Sequence, residues 1–208
     1  MHLYFARHGE SYANQRREIS NRGLRHGLTA TGREQARTLA EHLKPRGITH
    51  LYASPVLRAI ETCITVAHEL NLDYTITEAL REYDCGCMEG RSDEAAWQAW
   101  QALFDDWVIH QRYDQRIDGG ESFHDIRARF IPFINGLIEQ FGATNARIVC
   151  IAHGGLYWMM LPLILKNIDT DFIRRSQFAY TACITAEWRP SGLWCTDWNG
   201  LPVETPPE

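Results

Sequence analysis

Three kinds of segment are missing from this 208-residue chain. No apolar run approaches the eighteen or so residues that a membrane-spanning helix needs, so we expect no membrane partner. The charged residues form no basic stripe and the formal net charge is −5, which disfavours nucleic acid as a partner. The chain enters an apolar segment at once, with no charged-then-apolar leader, so we expect a cytoplasmic protein.

Several catalytic signatures are also absent. The chain has no His-Glu-x-x-His zinc motif, no phosphate-binding P-loop and no Gly-x-Ser-x-Gly nucleophile elbow. Its six cysteines do not suggest a disulfide scaffold in a chain of this length. Cys85 and Cys87 are separated by one residue and have no second pair nearby, so we predict no metal site and no cofactor.

Strand-like and helix-like segments alternate along the chain. Helical periodicity or cap signals predict helices over residues 32–44, 56–70, 93–108 and 122–141, with Thr31 and Glu34 as a capping box for the first. Ser54 and Pro55 resemble the start of the second helix, and Pro132 is expected to kink the last or reset its start. Residues 183–188 and 193–198 predict a hairpin around Arg189–Gly192.

This order of elements predicts one α/β domain over residues 1–208. We expect a three-layer α/β/α sandwich with a mostly parallel central sheet and an antiparallel edge strand. Residues 82–122 are predicted to form an inserted helical cap over the site, and residues 203–208 a loose tail. The aromatic residues of the 93–108 helix fit one apolar face, and packing against the protein is favoured over stacking on a ligand.

The chemistry is concentrated where predicted strands end. Arg7-His8-Gly9-Glu10 follows one apolar run, and His153-Gly154-Gly155 follows another. Arg58 falls in the first turn of a helix that follows a third, where free N–H groups and the helix dipole favour an anion. The carboxyl edge of an open α/β sheet is where ligands bind, so these groups are expected to meet around an anion.

An acidic, glycine-containing loop supplies the other candidate group. Residues 80–90 read Leu-Arg-Glu-Tyr-Asp-Cys-Gly-Cys-Met-Glu-Gly. Together with Leu28–Ala36, Ser54–Thr62 and Gly119–Ser122, these segments resemble the histidine phosphatase superfamily, which includes phosphoglycerate mutases and acid phosphatases. The resemblance runs from residue 3 to about residue 160. It implies a phosphoglycerate mutase-like fold and assigns the family's acid to Glu82.

The groups themselves suggest a metal-independent phosphomonoester hydrolase. A neutral His8 is expected to attack phosphorus and form a phosphohistidine. Arg7, Arg58 and a protonated His153 are expected to neutralise the phosphoryl oxygens. Glu82 is the candidate proton donor, and Asp84 and Glu89 are the alternatives for that role. A structural alternative for Glu82 is that it is a loop carboxylate in a salt bridge with Arg81.

Seven further residues are candidates for binding substrate or phosphate. They are Asn14, Glu10, Ser11, Gly154, Arg22, Glu121 and Ser122. Several have a structural alternative: Glu10 and Ser11 are also suited to capping the next segment, Ser122 with Asp125 forms a capping box, and Arg22 belongs to an arginine cluster that solvent alone could explain.

Two other functions remain open. Cofactor-dependent phosphoglycerate mutases share the core motifs, but they also carry a Gly-Trp segment after the Arg-His-Gly strand and a basic, proline-rich insertion. Residues 15–27 contain no tryptophan and residues 108–121 no proline cluster, which favours the phosphatase branch. The third alternative is a non-catalytic phospholigand-binding protein. The expected partner is a small phosphorylated metabolite, and a homodimer is an open alternative.

Overall fold

The computed structural model describes residues 1–176 and 178–205. Its elements in chain order are β1 His2–Arg7, α1 Tyr12–Gln15, α2 Ala30–Leu43, β2 His50–Ala53, α3 Leu57–Leu70, β3 Tyr74–Ile76, α4 Glu94–Val108, α5 Phe123–Phe141, β4 Arg147–Ala152, α6 Gly154–Ile164, α7 Thr170–Arg175, β5 Cys183–Arg189, β6 Gly192–Trp198 and β7 Leu201–Pro202.

One sheet of described strands runs in the order β3-β2-β4-β1-β5-β6-β7. The first four strands are mutually parallel, and β5, β6 and β7 pair antiparallel. The predicted mixed sheet is confirmed, although its antiparallel side holds three strands where one edge strand was expected. The strand β3 and the helix α7 were not predicted, because both are short and lack a clear apolar period.

The layers follow from the alternation of side chains along the central strand. In β1, Leu3 and Phe5 face one core, while Tyr4 and Ala6 face the other. The first core is shared with α4, α5, α6 and α7, and the second with α2 and α3. The three-layer α/β/α architecture is therefore confirmed. Because helices cover both faces of the sheet at β1, its inner residues are buried on both faces.

Helix starts differ from two of the predicted caps. The side chain of Thr29, not Thr31, accepts the hydrogen bond from the N–H of Gly32 and begins α2. Val56 precedes α3 without a side-chain cap, so the predicted role of Ser54 as N-cap is wrong. Ser122 and Asp125 do form the predicted capping box of α5. Pro132 lies inside α5 and does not reset its start.

The C-terminal tail, residues 203–208, is predicted to be loose. Residues 203–205 of the predicted tail have no regular structure, and residues 206–208 lie outside the described residues. No helix within residues 1–176 and 178–205 is long and apolar enough to cross a membrane.

Candidate active site

The sheet brings three sequence segments to one edge. His8 follows β1, His153 follows β4, and Arg58 lies in the first turn of α3, which follows β2. Since β4 pairs with both β1 and β2, these three strands are neighbours and their carboxyl ends lie side by side. The rings of His8 and His153 meet edge to face, with centroids 5.1 Å apart.

The hydrogen bonds of His8 show which ring nitrogen carries the proton and which carries the lone pair. Nδ1 lies 2.7 Å from the carbonyl oxygen of Gly9, and the Nε–H of Arg58 donates to Nε2 at 2.9 Å. A carbonyl only accepts and a guanidinium only donates, so the proton is on Nδ1 and the lone pair on Nε2. Burial, then the charges of Arg58 and Arg7, hold the pKa of His8 well below its ordinary value. The ring is therefore neutral and potentially nucleophilic.

Arg58 links the two histidines. Besides its bond to His8, its Nη2 donates to Nδ1 of His153 at 3.2 Å, and its Nη1 donates to the carbonyl of Ser20. Desolvation lowers the pKa of Arg58 to about 10, although the negative charge of Glu82 acts to raise it. The guanidinium therefore keeps its positive charge at neutral pH inside a buried site.

Arg7 carries an unused donor. Its Nη1 donates to the carbonyl of Phe178, and its guanidinium lies 4.3 Å from the ring centroid of Tyr180. Its Nε is buried and has no hydrogen-bond partner among residues 1–176 and 178–205. A buried donor without a partner is costly, so this atom indicates where a ligand acceptor belongs.

His153 differs from the expected cation. Its Nδ1 accepts from Arg58, so its proton lies on Nε2, which is 2.7 Å from Oγ of Ser54. Burial and the neighbouring charge of Arg58 hold the pKa of His153 well below its ordinary value. The ring is neutral in this arrangement, and its protonation with a phosphate bound stays a prediction. Ser54, predicted as a helix cap, is instead the hydroxyl that orients this ring.

Glu82 is buried at the same site and is not paired with the adjacent Arg81. Its Oε1 accepts from the N–H of Tyr83 and its Oε2 from the N–H of Gly155, both at 3.1 Å. Burial raises the pKa of Glu82 above its ordinary value, while the charge of Arg58 opposes the rise. Arg81 makes its salt bridges with three other carboxylates, so the salt-bridge explanation for Glu82 is wrong.

The two alternative acids are engaged elsewhere. Asp84 pairs with Arg22 at 2.7 Å, and Glu89 accepts from the backbone N–H of Asn21 at 2.8 Å. Neither carboxylate lines the cavity above the histidines, whereas Glu82 does. The geometry therefore favours Glu82 as the acid.

The candidates after His8 divide into two kinds. Asn14 lines the cavity, and its Oδ1 accepts from the N–H and the Oγ of Ser11. Ser11 is the N-cap of α1 and completes a capping box with Asn14. Glu10 accepts from Oγ1 of Thr29, 2.7 Å away. Ser11 and Glu10 thus organise the local structure, which is the structural alternative given above, and a contact with substrate or with His8 stays a prediction.

Three more candidates serve structure. Arg22 pairs with Asp84 and donates to the carbonyl of Gly119, outside the cavity lining. Glu121 accepts from Arg81, from Arg129 and from the N–H of Asp84. Ser122 caps α5. Local capping and long-range ion pairs already use the polar atoms of these three residues, so the structure supplies a structural role for each, and substrate binding by them stays a prediction.

Gly154 begins α6 immediately after His153, and its backbone faces Arg7. A Cβ placed there would lie 3.3 Å from Nε of Arg7, so glycine allows the guanidinium to approach the helix start. The start of this helix, where the N–H of Gly155 donates to Glu82, and the unused Nε of Arg7 thus lie together. The helix start and this unused donor both favour an anion.

The cavity over these groups has a volume of about 460 Å³, a size typical of small-molecule sites. Arg7, His8, Asn14, Arg58, Glu82 and Gly154 line its polar end. A wall of α4 side chains, Trp97, Trp100 and Phe104, lines the other end together with Trp158 and Phe178. The predicted packing of the aromatic face of α4 is confirmed: Leu103 and Trp107 are core residues, and Trp97, Trp100 and Phe104 pack against the core while also lining the cavity.

Sequence reasoning missed several cavity residues. Tyr180 packs on Arg7, and Ser20 and Asn21 line the cavity beside Arg58. None belongs to a strand-end motif, and only the periodicity of α4 gave a signal for the aromatic wall. Among residues 1–176 and 178–205, no cluster of three or more histidine, cysteine or acidic side chains is arranged to hold a metal ion.

Comparison with known proteins agrees with the fold of this α/β protein, in which two histidines meet at the carboxyl edge of the sheet. The sequence model of the histidine phosphatase superfamily (branch 1) matches residues 3–200. The chain therefore belongs to the histidine phosphatase superfamily.

Individual relatives carry different activities in their names. "Probable phosphoglycerate mutase GpmB" of Salmonella newport is 29% identical over 171 residues, which cover 79% of this chain and 75% of that protein. A mycobacterial glucosyl-3-phosphoglycerate phosphatase superposes with a TM-score of 0.80 at 22% identity, over 95% of this chain and 98% of that one. The α-ribazole phosphatase of Shigella flexneri gives 0.78 at 20% identity over all of both chains. At these identities the two solved structures show the shared fold.

Proposed function

We propose that this chain is a metal-independent phosphomonoester hydrolase that acts through a phosphohistidine on His8. The observation that carries the proposal is the hydrogen bonding of His8. Nδ1 is committed to the carbonyl of Gly9, so the lone pair of Nε2 accepts from Arg58, and Arg7 lines the same cavity. A neutral imidazole beside two guanidinium groups is suited to attack a phosphate whose oxygens those groups hold.

The first step transfers the phosphoryl group. A bound phosphate takes over the Nε–H of Arg58 and supplies the acceptor that Nε of Arg7 lacks. Nε2 of His8 forms a bond to phosphorus as the bond from phosphorus to the ester oxygen breaks. Glu82, whose pKa is raised by burial, gives its proton to that oxygen, and an alcohol leaves.

The second step restores the enzyme. The Glu82 carboxylate accepts a proton from a water molecule as the water oxygen bonds to phosphorus. The bond between phosphorus and Nε2 breaks, its electron pair returns to His8, and inorganic phosphate leaves. No metal or organic cofactor enters this scheme, and the expected partner is a small phosphorylated metabolite.

The test is release of inorganic phosphate from p-nitrophenyl phosphate in EDTA at about pH 5 to 7. The parent should turn over, and His8→Ala should not. Mass spectrometry of an alkaline-quenched reaction should find the phosphoryl group on the peptide that contains His8. Equal turnover by both proteins would refute His8 as nucleophile.

A mutase is the second candidate, favoured by the name of the Salmonella relative. A mutase returns the phosphoryl group to an acceptor hydroxyl, so it interconverts 3-phosphoglycerate and 2-phosphoglycerate once primed with bisphosphoglycerate. Interconversion faster than phosphate release would establish that activity in place of hydrolysis. Binding of phosphate without either reaction would indicate a non-catalytic phospholigand-binding protein.

A further inference from the structure

The cavity has two chemically distinct ends. Phosphate-directed groups occupy the end at the sheet edge, and the other end is bounded by the aromatic wall, which we define as Trp97, Trp100, Phe104 and Trp158. The three α4 members recur at helical spacing on one side of that helix. Leu103 and Trp107, on the adjoining part of the same apolar face, are buried in the core, whereas the wall residues pack against that core and also line the cavity.

The wall is continuous from ring to ring. Trp97 and Trp100 meet edge to face at 5.6 Å, Trp100 and Phe104 stack at 6.0 Å, and Phe104 lies 4.9 Å from Trp158. All four side chains are only partly buried. The protein therefore leaves aromatic faces uncovered inside a cavity, where a planar ring is able to stack on them.

The wall is also held in place. The Nε1–H of Trp97 donates to the backbone carbonyl of Arg17 at 2.9 Å, which fastens α4 to the segment after α1. The ring of Trp100 stacks on Tyr83, with centroids 6.1 Å apart. Tyr83 follows Glu82 directly, so the wall is tied to the loop that carries the proton donor. A preformed surface costs less ordering when a ligand binds.

Charge inside the cavity is the second independent observation. Of the described residues that line it, the cationic ones are Arg7 and Arg58, which already face the phosphate position. The remaining charged lining groups are the carboxylates Glu18 and Glu82. Glu18 is paired with His26 at 2.9 Å and with Arg25 at 3.1 Å, so these two basic side chains already interact with a carboxylate of the protein.

A second anionic group on the substrate would therefore be at a disadvantage. It would lose water, meet aromatic faces and approach Glu18, with the two lining cations already occupied by phosphate. Arg17 lies in an adjoining cavity with Tyr180 and is exposed. An uncharged ring would instead cover the wall and displace water from it.

We propose that the site selects phosphomonoesters whose alcohol portion is uncharged and carries a planar aromatic ring, which stacks on the aromatic wall, and that it discriminates against alcohols that carry a carboxylate. The proposal rests on the proposed function and narrows its substrate class. Trp100 and Phe104 are its specificity-determining residues, and Glu18 contributes the discrimination against anions.

The test uses phosphonates, which present the phosphate end but cannot be hydrolysed. Binding of methylphosphonate, benzylphosphonate, 4-carboxybenzylphosphonate and cyclohexylmethylphosphonate is measured by titration calorimetry. Benzylphosphonate should bind at least tenfold more tightly than methylphosphonate, which corresponds to about 1.4 kcal/mol. The added carboxylate should remove most of that gain, and the cyclohexyl compound should bind several-fold more weakly than the benzyl one.

Variants assign the effect to residues. Trp100→Leu and Phe104→Leu should each weaken benzylphosphonate binding several-fold and leave methylphosphonate unchanged, which also shows that the phosphate end is intact. Trp194→Leu, on β6 and outside the cavity lining, is the matched control and should change neither. Glu18→Gln should strengthen binding of the carboxylated ligand without altering benzylphosphonate.

Three results would overturn the proposal. They are benzylphosphonate binding no more tightly than methylphosphonate, 4-carboxybenzylphosphonate binding as tightly as benzylphosphonate, or cyclohexylmethylphosphonate binding as tightly as benzylphosphonate. Phosphate release from benzyl phosphate is measured in parallel. Selective binding without release would refute the hydrolase and leave the selectivity standing. Release from benzyl phosphate and 3-phosphoglycerate with equal kcat/KM would refute the selectivity and leave the hydrolase standing.

Discussion

Replacing Glu82 by glutamine tests the proton donor most directly. A carboxylic acid accepts from both neighbouring N–H groups and still has a proton to give. An amide offers one acceptor oxygen, so its NH₂ must face the N–H of Tyr83 or of Gly155. The variant therefore loses the proton and also leaves one buried donor without a partner.

The expected size of the effect depends on the leaving group. General acid catalysis contributes about 10²- to 10⁴-fold, so kcat for an alkyl ester such as benzyl phosphate should fall in Glu82→Gln by that range. A nitrophenolate leaves without a proton, so turnover of p-nitrophenyl phosphate should fall far less. The unpaired donor should cost about 1–3 kcal/mol of unfolding free energy, which urea denaturation measures.

The pH profile gives the sign. Glu82 must be protonated in the first step, so kcat/KM for the alkyl ester should fall as pH rises through its raised pKa. His8 must be neutral, and because its pKa is lowered, the acid limb should lie below pH 6.5. The pH optimum should therefore be acidic. Glu82→Gln should lack the fall in kcat/KM on the alkaline side that deprotonation of Glu82 causes. A raised pKa also means that the contribution of Glu82 to folding stability is lost as pH rises through it.

One outcome would refute the reasoning. If Glu82→Gln lowered kcat equally for both esters and kept the alkaline limb, the carboxyl group would not be the proton donor. The proton would then have to come from another group or from water.

Three other perturbations follow from the same geometry. Gly155→Ala places a Cβ 2.9 Å from the carboxylate of the candidate proton donor and should lower kcat for alkyl esters at least tenfold, whereas Gly136→Ala in α5 has open space, should keep activity and should gain about 0.5–1 kcal/mol of unfolding free energy. Inorganic phosphate at a hundred times its Kd should raise the unfolding free energy by about 2.7 kcal/mol and Tm by about 5–10 °C in differential scanning fluorimetry, and Arg7→Lys should lose most of that shift because the unused Nε–H is gone. Glu121→Gln should cost about 1–3 kcal/mol in urea denaturation because it removes the charge and leaves one acceptor oxygen for two arginines and a backbone N–H, while the exposed Glu34→Gln should stay within about 0.5 kcal/mol; equal costs would contradict the structural role given to Glu121.

The strand-end motifs could be predicted from sequence because sheet geometry does most of the placement. An apolar run followed by Arg7-His8 or His153 can end only at a sheet edge, and parallel strands bring such ends together. The sequence could not show that His153 would be neutral. Its pKa depends on burial and on Arg58, which approaches from another strand's helix.

The differences between the sequence expectations and the structure have a common physical origin. Arg22 and Glu121 have polar side chains near the motifs, but tertiary packing determines their partners, Asp84 and Arg129, and no local sequence pattern indicates these pairs. The α4 periodicity gave a face and could not say whether protein or cavity would cover each part of it. Ser54 has the residue type of a helix cap, yet its hydroxyl is used by a ring far away in sequence.

The pairing of β1 with β4 has a consequence for folding. Arg7 lies in register with Ala152, so the two histidines of the candidate site come together only after most of the chain has been closed into one loop. Loop closure of this kind is entropically costly and gives the fold a high contact order, which slows folding. After dilution from urea, helical circular dichroism should therefore return before phosphate release does. A segment ending at β3 would contain His8 and Arg58 without Glu82 or His153, so catalytic activity reports that distant halves of the chain have met.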